Sequence, residues 1–217
     1  MAGVGGRRVV GLWWMAMALL GAAACSGGDD ADVEVAIVAD SEVPIDVADL
    51  VDDVDGITVA SRVSLDGATM AELDDQVDAA LAEDPDVLVY AGGTNDLPAG
   101  PDAVLEGLGR RLRTYRAEAC VAVAVPVFRY ERGTAAEVDE RTAGTRVLEE
   151  AVADTGATVV SYLDVSLAMD EAGEDFFAEG ELGDLHPGAA AYPRIAEAIA
   201  VGVDEAVAAD AEGCGTG

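Results

Sequence analysis

Residues 33–41 read Val-Glu-Val-Ala-Ile-Val-Ala-Asp-Ser, a run of β-branched and small apolar residues that ends on a polar pair. Apolar side chains would emerge on both faces of such a strand, as they do in the middle of a parallel sheet. The same signature returns at Ile57–Val63, Val87–Ala91 (VLVYA), Cys120–Val125 (CVAVAV) and Ala157–Tyr162 (ATVVSY). Helix-like stretches fill the gaps at about 43–54, 69–83, 101–118, 134–154 and 188–209. Thr69 followed by Glu72 reads as a capping box opening the second of these. Pro85 and Asp86 break the chain ahead of the third strand, and Pro101 falls where a first helical turn accepts it. This alternation predicts a three-layer α/β sandwich of about five parallel strands joined by right-handed crossovers.

With 217 residues, 51% of them apolar, the chain can fill one core but not two ordinary domains. The formal charge is -31, and all 12 basic residues are Arg. No basic surface exists to displace counterions from phosphate, which argues against nucleic acid as a partner. An anionic membrane surface would repel the domain, and the carboxylates read as a solvated coat. Without Lys there is no P-loop, and no GxGxxG follows a strand. One His with three Cys makes no conventional zinc site. The expected chemistry uses neither cofactor nor metal.

Residues 1–24 read as a signal peptide, with Arg7 and Arg8 ahead of an apolar stretch too short for a span of about 20 residues. Cys25, after Gly-Ala-Ala-Ala and before Ser-Gly-Gly-Asp-Asp, gives the pattern of a lipidated bacterial lipoprotein start, with 25–32 as its tether. Ala22 stands where such sites usually carry Leu, so lipid-free secretion and an uncleaved anchor are the alternatives. Export would leave Cys120 and Cys214 as a pair in an oxidising compartment. A bridge between them would contribute about 4–5 kcal/mol in the chain-entropy model, and the alternative is two buried thiols. Residues 33–217 form the remaining domain, expected to be monomeric and to meet the membrane only through the lipid.

Ligands of a parallel sheet bind beyond the carboxyl ends of its strands. Four turns fall there: Asp40-Ser41, Asp66-Gly67-Ala68-Thr69, Gly92-Gly93-Thr94-Asn95-Asp96, and Gly183-Asp184-Leu185-His186-Pro187 before the last helix. A Ser hydroxyl needs a base to become a nucleophile, and the single His lies in one of these turns. A nearby carboxylate could fix the imidazole tautomer. The Ser41 and Gly67 amides with the Asn95 side chain could bind an oxyanion, each donor contributing about 2.7–4 kcal/mol to the transition state. Taken singly, each residue has a plain structural explanation, such as Ser41 capping a helix. Their order on one sheet edge is what points to acyl transfer.

These blocks resemble those of the SGNH/GDSL hydrolases. Ala39-Asp40-Ser41 is similar to the family's Gly-Asp-Ser block, Gly67 to its lone Gly, and Gly93-Thr94-Asn95-Asp96 to its Gly-x-Asn-Asp block. His186-Pro187 resembles the end of its Asp-x-x-His block. The resemblance spans about 33–209 and implies a flavodoxin-like fold and ester-hydrolysing activity. Two departures stand out. Ala39 replaces a Gly, and Asp184 precedes His186 by two residues where the family has three, with Gly183 at the family's position. Three arrangements stay open: Asp184 still reaches the imidazole, Glu181 replaces it, or a backbone carbonyl orients a Ser–His dyad.

The expectation is an extracytoplasmic serine esterase with Ser41 as nucleophile, His186 as base and Asp184 as third member. Its substrate would be a small-molecule, lipid or glycan ester, with 128–134 and 170–181 bordering the cleft. The alternatives are an O-acyltransferase acting on a glycan or cell-wall acceptor, and a degenerate domain that binds carbohydrate or a partner without turnover.

Overall fold

The computed structural model describes residues 32–127, 135–177 and 186–209, the side chains of 135–141 excepted. Strands form where the apolar runs place them: β1 Val33–Ala39, β2 Ile57–Ser64, β3 Val87–Ala91, β4 Cys120–Val125 and β5 Thr158–Ser161. Neighbouring strands are all parallel, in the order β2-β1-β3-β4-β5. Among the described residues the α-helices are α1 Ile45–Asp52, α2 Met70–Leu81, α3 Pro101–Tyr115, α4 Ala135–Ala153, α5 Tyr162–Ala172 and α6 Tyr192–Ala209, the last two following the final strand.

Alternate residues of each strand feed two cores. Val35, Ile37 and Val89 face one side, packed with Val47 and Val51 of α1 and Ile195 and Ile199 of α6. Ala36, Val38, Leu88 and Val123 face the other, packed with Leu73 of α2, Leu112 of α3 and Val152 of α4. This is the predicted three-layer sandwich, and strands apolar on both faces are its cause.

The predicted helix signals act as expected. The Glu72 carboxylate accepts the Thr69 backbone N–H at 2.9 Å, and Pro101 is the first residue of α3. The sequence reading leaves α5 out. There the chain turns from strand to helix with no loop between, because the Ser161 side chain accepts the Asp164 backbone N–H at 3.1 Å and caps the helix at once. Its start, Tyr-Leu-Asp-Val, imitates a strand, but its buried residues Tyr162, Leu163, Ser166 and Met169 follow a helical spacing.

The described residues fall in one compact unit. The expected signal peptide, Cys25 and most of the tether lie outside the described residues, as does Cys214. Cys120 is disulfide-bonded. Among the described residues no helix is long and apolar enough to cross a membrane.

One close approach supports the site above it. Tyr90 is fully buried under the turn that follows β3, and its hydroxyl has no hydrogen-bond partner among the described residues. A Cβ on Gly92 would lie 2.6 Å from that hydroxyl and 2.9 Å from Leu73 Cδ1. Gly92→Ala is therefore expected to cost about 1–3 kcal/mol through overpacking. Tyr90→Phe should be neutral or stabilising, since it removes an orphan hydroxyl. It should also return part of the Gly92→Ala loss in the double variant, a coupling that urea midpoints would read directly. Strict additivity would contradict this packing.

Candidate active site

Register brings the site together. Ala39, the last residue of β1, pairs with Ser64 on one side and Ala91 on the other, so three strands end in one row. The row continues one step into the loops, where the Asp40 N–H donates to Ala91 O at 3.0 Å and the Leu65 N–H to Ala39 O at 2.9 Å. From β1 the chain runs to β2 on one side and then crosses to β3 on the other, which makes this the switch point at which such sheets open a crevice. Ser41, Gly67 and Asn95 leave the sheet within a few residues of this row.

Ser41 Oγ lies 2.8 Å from His186 Nε2, across 145 residues of sequence. If Nε2 is to accept the hydroxyl proton, the ring's own proton sits on Nδ1. Both side chains are partly buried, which leaves the hydroxyl reachable from solvent. Asp184 and Glu181, the two carboxylates considered as partners of the imidazole, lie outside the described residues.

Burial explains how His186 is held. Pro187 forms an antiparallel bridge with Phe177, and the Gly188 N–H donates to Phe176 O at 2.8 Å. Phe176 and Phe177 stack edge to face at 5.0 Å, and Phe176 meets Tyr162 at 6.2 Å. The Tyr162 hydroxyl then donates to Glu42 O at 3.3 Å, beside Ser41. An aromatic wedge thus ties the serine turn to the histidine turn. The sequence reading treats this region as cleft border and misses the wedge. Phe176-Phe177 supplies two of the three Phe in the chain, a signal that could have marked it.

Among the described residues, neither the Ser41 nor the Gly67 backbone N–H donates to another group. Gly67 is exposed and has φ +72°, a left-handed conformation that side chains beyond Cα disfavour. The Asn95 amide bridges the two turns: Nδ2 donates to Ala68 O at 3.0 Å and, at a longer 3.3 Å, to Asp40 Oδ2. Both its hydrogens are therefore engaged, one of them weakly.

Two buried carboxyls flank Ser41. Asp40 accepts the Glu42 N–H at 3.0 Å on Oδ1, a local turn that fixes the serine between them. Burial pushes Asp40 up to about 6, helped by the nearby charge of Asp96 and opposed by the Glu42 N–H and Asn95. Burial and the Asp40 charge push Glu42 up to about 8. The folded protein holds these protons after the unfolded chain has released them. Stability from Glu42 is thus full below its ordinary value of 4.5 and lost as pH rises toward about 8. Asp40 completes its own loss near pH 6. Between pH 6 and 8 the wild type is expected to lose about 2–3 kcal/mol through Glu42, a slope of about 1.4 kcal/mol per pH unit. Glu42→Gln should flatten urea-melt stability across that window, and an equal slope in both proteins would contradict the assignment.

A serine and histidine in contact at the switch point of a parallel sheet, beside free backbone amides, define a serine hydrolase of the α/β type. The chain belongs to the GDSL-like lipase/acylhydrolase family, whose profile matches residues 39–194. It is an SGNH ester hydrolase. Solved structures of the same fold include the acetylxylan esterase Axe2 from Geobacillus stearothermophilus, 14% identical, covering 80% of this chain and 94% of that one, with a TM-score of 0.59. A lipolytic G-D-S-L protein from Veillonella parvula is 14% identical over 80% of this chain and 97% of its own, with a TM-score of 0.57. The catalytic domain of the Streptococcus pneumoniae peptidoglycan O-acetyltransferase OatA is 18% identical over 81% and 94%, with a TM-score of 0.52. No curated protein shows significant sequence similarity to the chain.

Proposed function

We propose that this chain is an exported esterase that removes short acyl groups, acetyl foremost, from a saccharide through a Ser41 acyl-enzyme. The observation that carries the reading is the 2.8 Å contact between Ser41 Oγ and His186 Nε2. In the first step Oγ attacks the ester carbonyl while its proton passes to Nε2, and the carbonyl π electrons move onto oxygen. The Ser41 and Gly67 amides and the Asn95 side chain take up that charge. The oxyanion's electron pair then re-forms the carbonyl, the C–O bond to the alcohol breaks as its oxygen takes the proton from Nε2, and water repeats the sequence on the acyl-enzyme to release the acid and Ser41. Asp184 is the group proposed to hold Nδ1–H.

Export is supported by the residue 1–25 pattern and by the disulfide at Cys120, since such bonds persist in oxidising compartments. Acetyl esters are favoured because one fold neighbour is an acetylxylan esterase and another an O-acetyltransferase. The test is acetate release from p-nitrophenyl acetate and from acetylated xylan, together with fluorophosphonate labelling at Ser41. Acetate release that is unchanged by an added sugar acceptor supports hydrolysis. Acetyl appearing chiefly on the acceptor would make it a transferase, and a folded protein that neither labels nor turns over would make it a binding domain.

A further inference from the structure

The turns that carry Gly67 and Asn95 are pinned together by a carboxylate to which the reaction gives no step. Asp96 Oδ2 accepts the Met70 backbone N–H at 2.8 Å. Met70 opens α2, so its N–H is one of the donors that a helix start leaves unpaired. Thr69, the residue before it, is occupied locally: its N–H and hydroxyl both bond to Glu72 Oε2, at 2.9 and 2.8 Å. Beside that local capping box, the Met70 N–H is satisfied from a different loop, where the negative charge also suits the helix dipole. Asn95, next in the chain to Asp96, holds Ala68 O at 3.0 Å. Two neighbouring side chains of one turn thus grip Ala68 and Met70 of the other. Gly67 has no side chain to anchor it, and a Cβ there would meet nothing within 4 Å. Its N–H is held in direction by its neighbours alone: by Leu65, bonded to Ala39 O, before it, and by Ala68 and Met70 after it.

We infer that Asp96 is a positioning residue that holds the Gly67–Met70 turn so that the Gly67 amide stays aimed at the oxyanion. The inference rests on the serine-esterase reading above. A donor aimed at charge that exists only in the transition state contributes to kcat and hardly to KM. Slackening it should cost less than outright removal of a donor, which lowers rates about 10²–10³-fold.

The experiment compares Asp96→Ala, Asp96→Ser and Asp96→Asn in the full-length protein. Asn keeps an acceptor oxygen at the same reach, Ser is one bond short, and Ala has none. For Ala and Ser the kcat on p-nitrophenyl acetate, per folded molecule, is expected to fall about ten- to a hundredfold with KM within about twofold. Asn should retain most of the rate. Amide hydrogen exchange over residues 65–73 should quicken in Ala and Ser but not in Asn. Unchanged kcat in the folded Ala or Ser variant overturns the assignment, as does an Asn variant as slow as Ala. If the wild type itself shows no turnover, the esterase reading fails, and exchange alone decides Asp96: quickened exchange over 65–73 supports it, unchanged exchange overturns it.

Discussion

Ser41→Ala is expected to lower kcat/KM for p-nitrophenyl acetate by about 10⁴–10⁶-fold, and His186→Ala by a similar factor. The size follows from what each group does. Without Oγ no acyl-enzyme forms, and the reaction must wait for direct attack by water. Without the imidazole, Oγ keeps its proton at neutral pH and is a poor nucleophile. Since the two atoms lie 2.8 Å apart and act on one proton, their losses should not add. The double variant should be about as slow as either single one. Both variants should remain folded, because among the described residues the Ser41 side chain hydrogen-bonds only to His186, and His186 is held by Pro187 and Gly188 through their backbone. Circular dichroism and urea midpoints close to wild type would confirm that the rate, and not the fold, has been removed. Substantial turnover in Ser41→Ala would place the nucleophile elsewhere.

How much of this was readable from the sequence depends on what had to be known. Ser41, Gly67 and Asn95 sit directly after apolar runs, so recognising the runs as parallel strands already puts the three turns on one edge. Register then does the rest, and the row through Ala39, Ser64 and Ala91 shows it. His186 was readable because the chain has no other His. Glu42 was not. In a sequence with 43 acidic residues, reading the carboxylates as a solvated coat is sensible, yet Asp40 is 0% and Glu42 5% exposed. The packing of Tyr162 and the serine turn buries these two, as contacts to Arg146 and Ser161 accompany the burial of Glu149, and none of this is written in local sequence. The aromatic wedge escaped for the same reason, since α5 and Phe176–Phe177 gain their meaning from a bridge to Pro187 that local spacing does not encode. Asp96 lay inside a recognised block, but its bond crosses to a helix start 26 residues earlier, which no motif states.

Asn95→Ala should lower kcat by about 10²–10³-fold while leaving KM nearly unchanged. The argument turns on its two hydrogens. The one on Ala68 O, at 3.0 Å, fixes the amide and closes the turn that carries Gly67. The one on Asp40 Oδ2, at 3.3 Å, is long and cheap to give up. When a substrate oxygen becomes negative, this second hydrogen has a stronger acceptor within the cleft and is expected to swing to it. Asp40 then loses a partner but keeps the Glu42 N–H. Asn95→Asp tests the same point from the other side. A carboxylate there cannot donate at neutral pH, stands beside Asp40, and repels the oxyanion. It should be at least as slow as Ala despite its similar shape. If Asn95→Ala costs less than about tenfold, the amide stays committed to Ala68 and Asp40 throughout, and the oxyanion is held by the Ser41 and Gly67 backbone alone. That result would leave Asn95 as a clamp on the Gly67 turn, the same kind of work assigned to Asp96, and would shift the weight of catalysis onto the geometry of that turn.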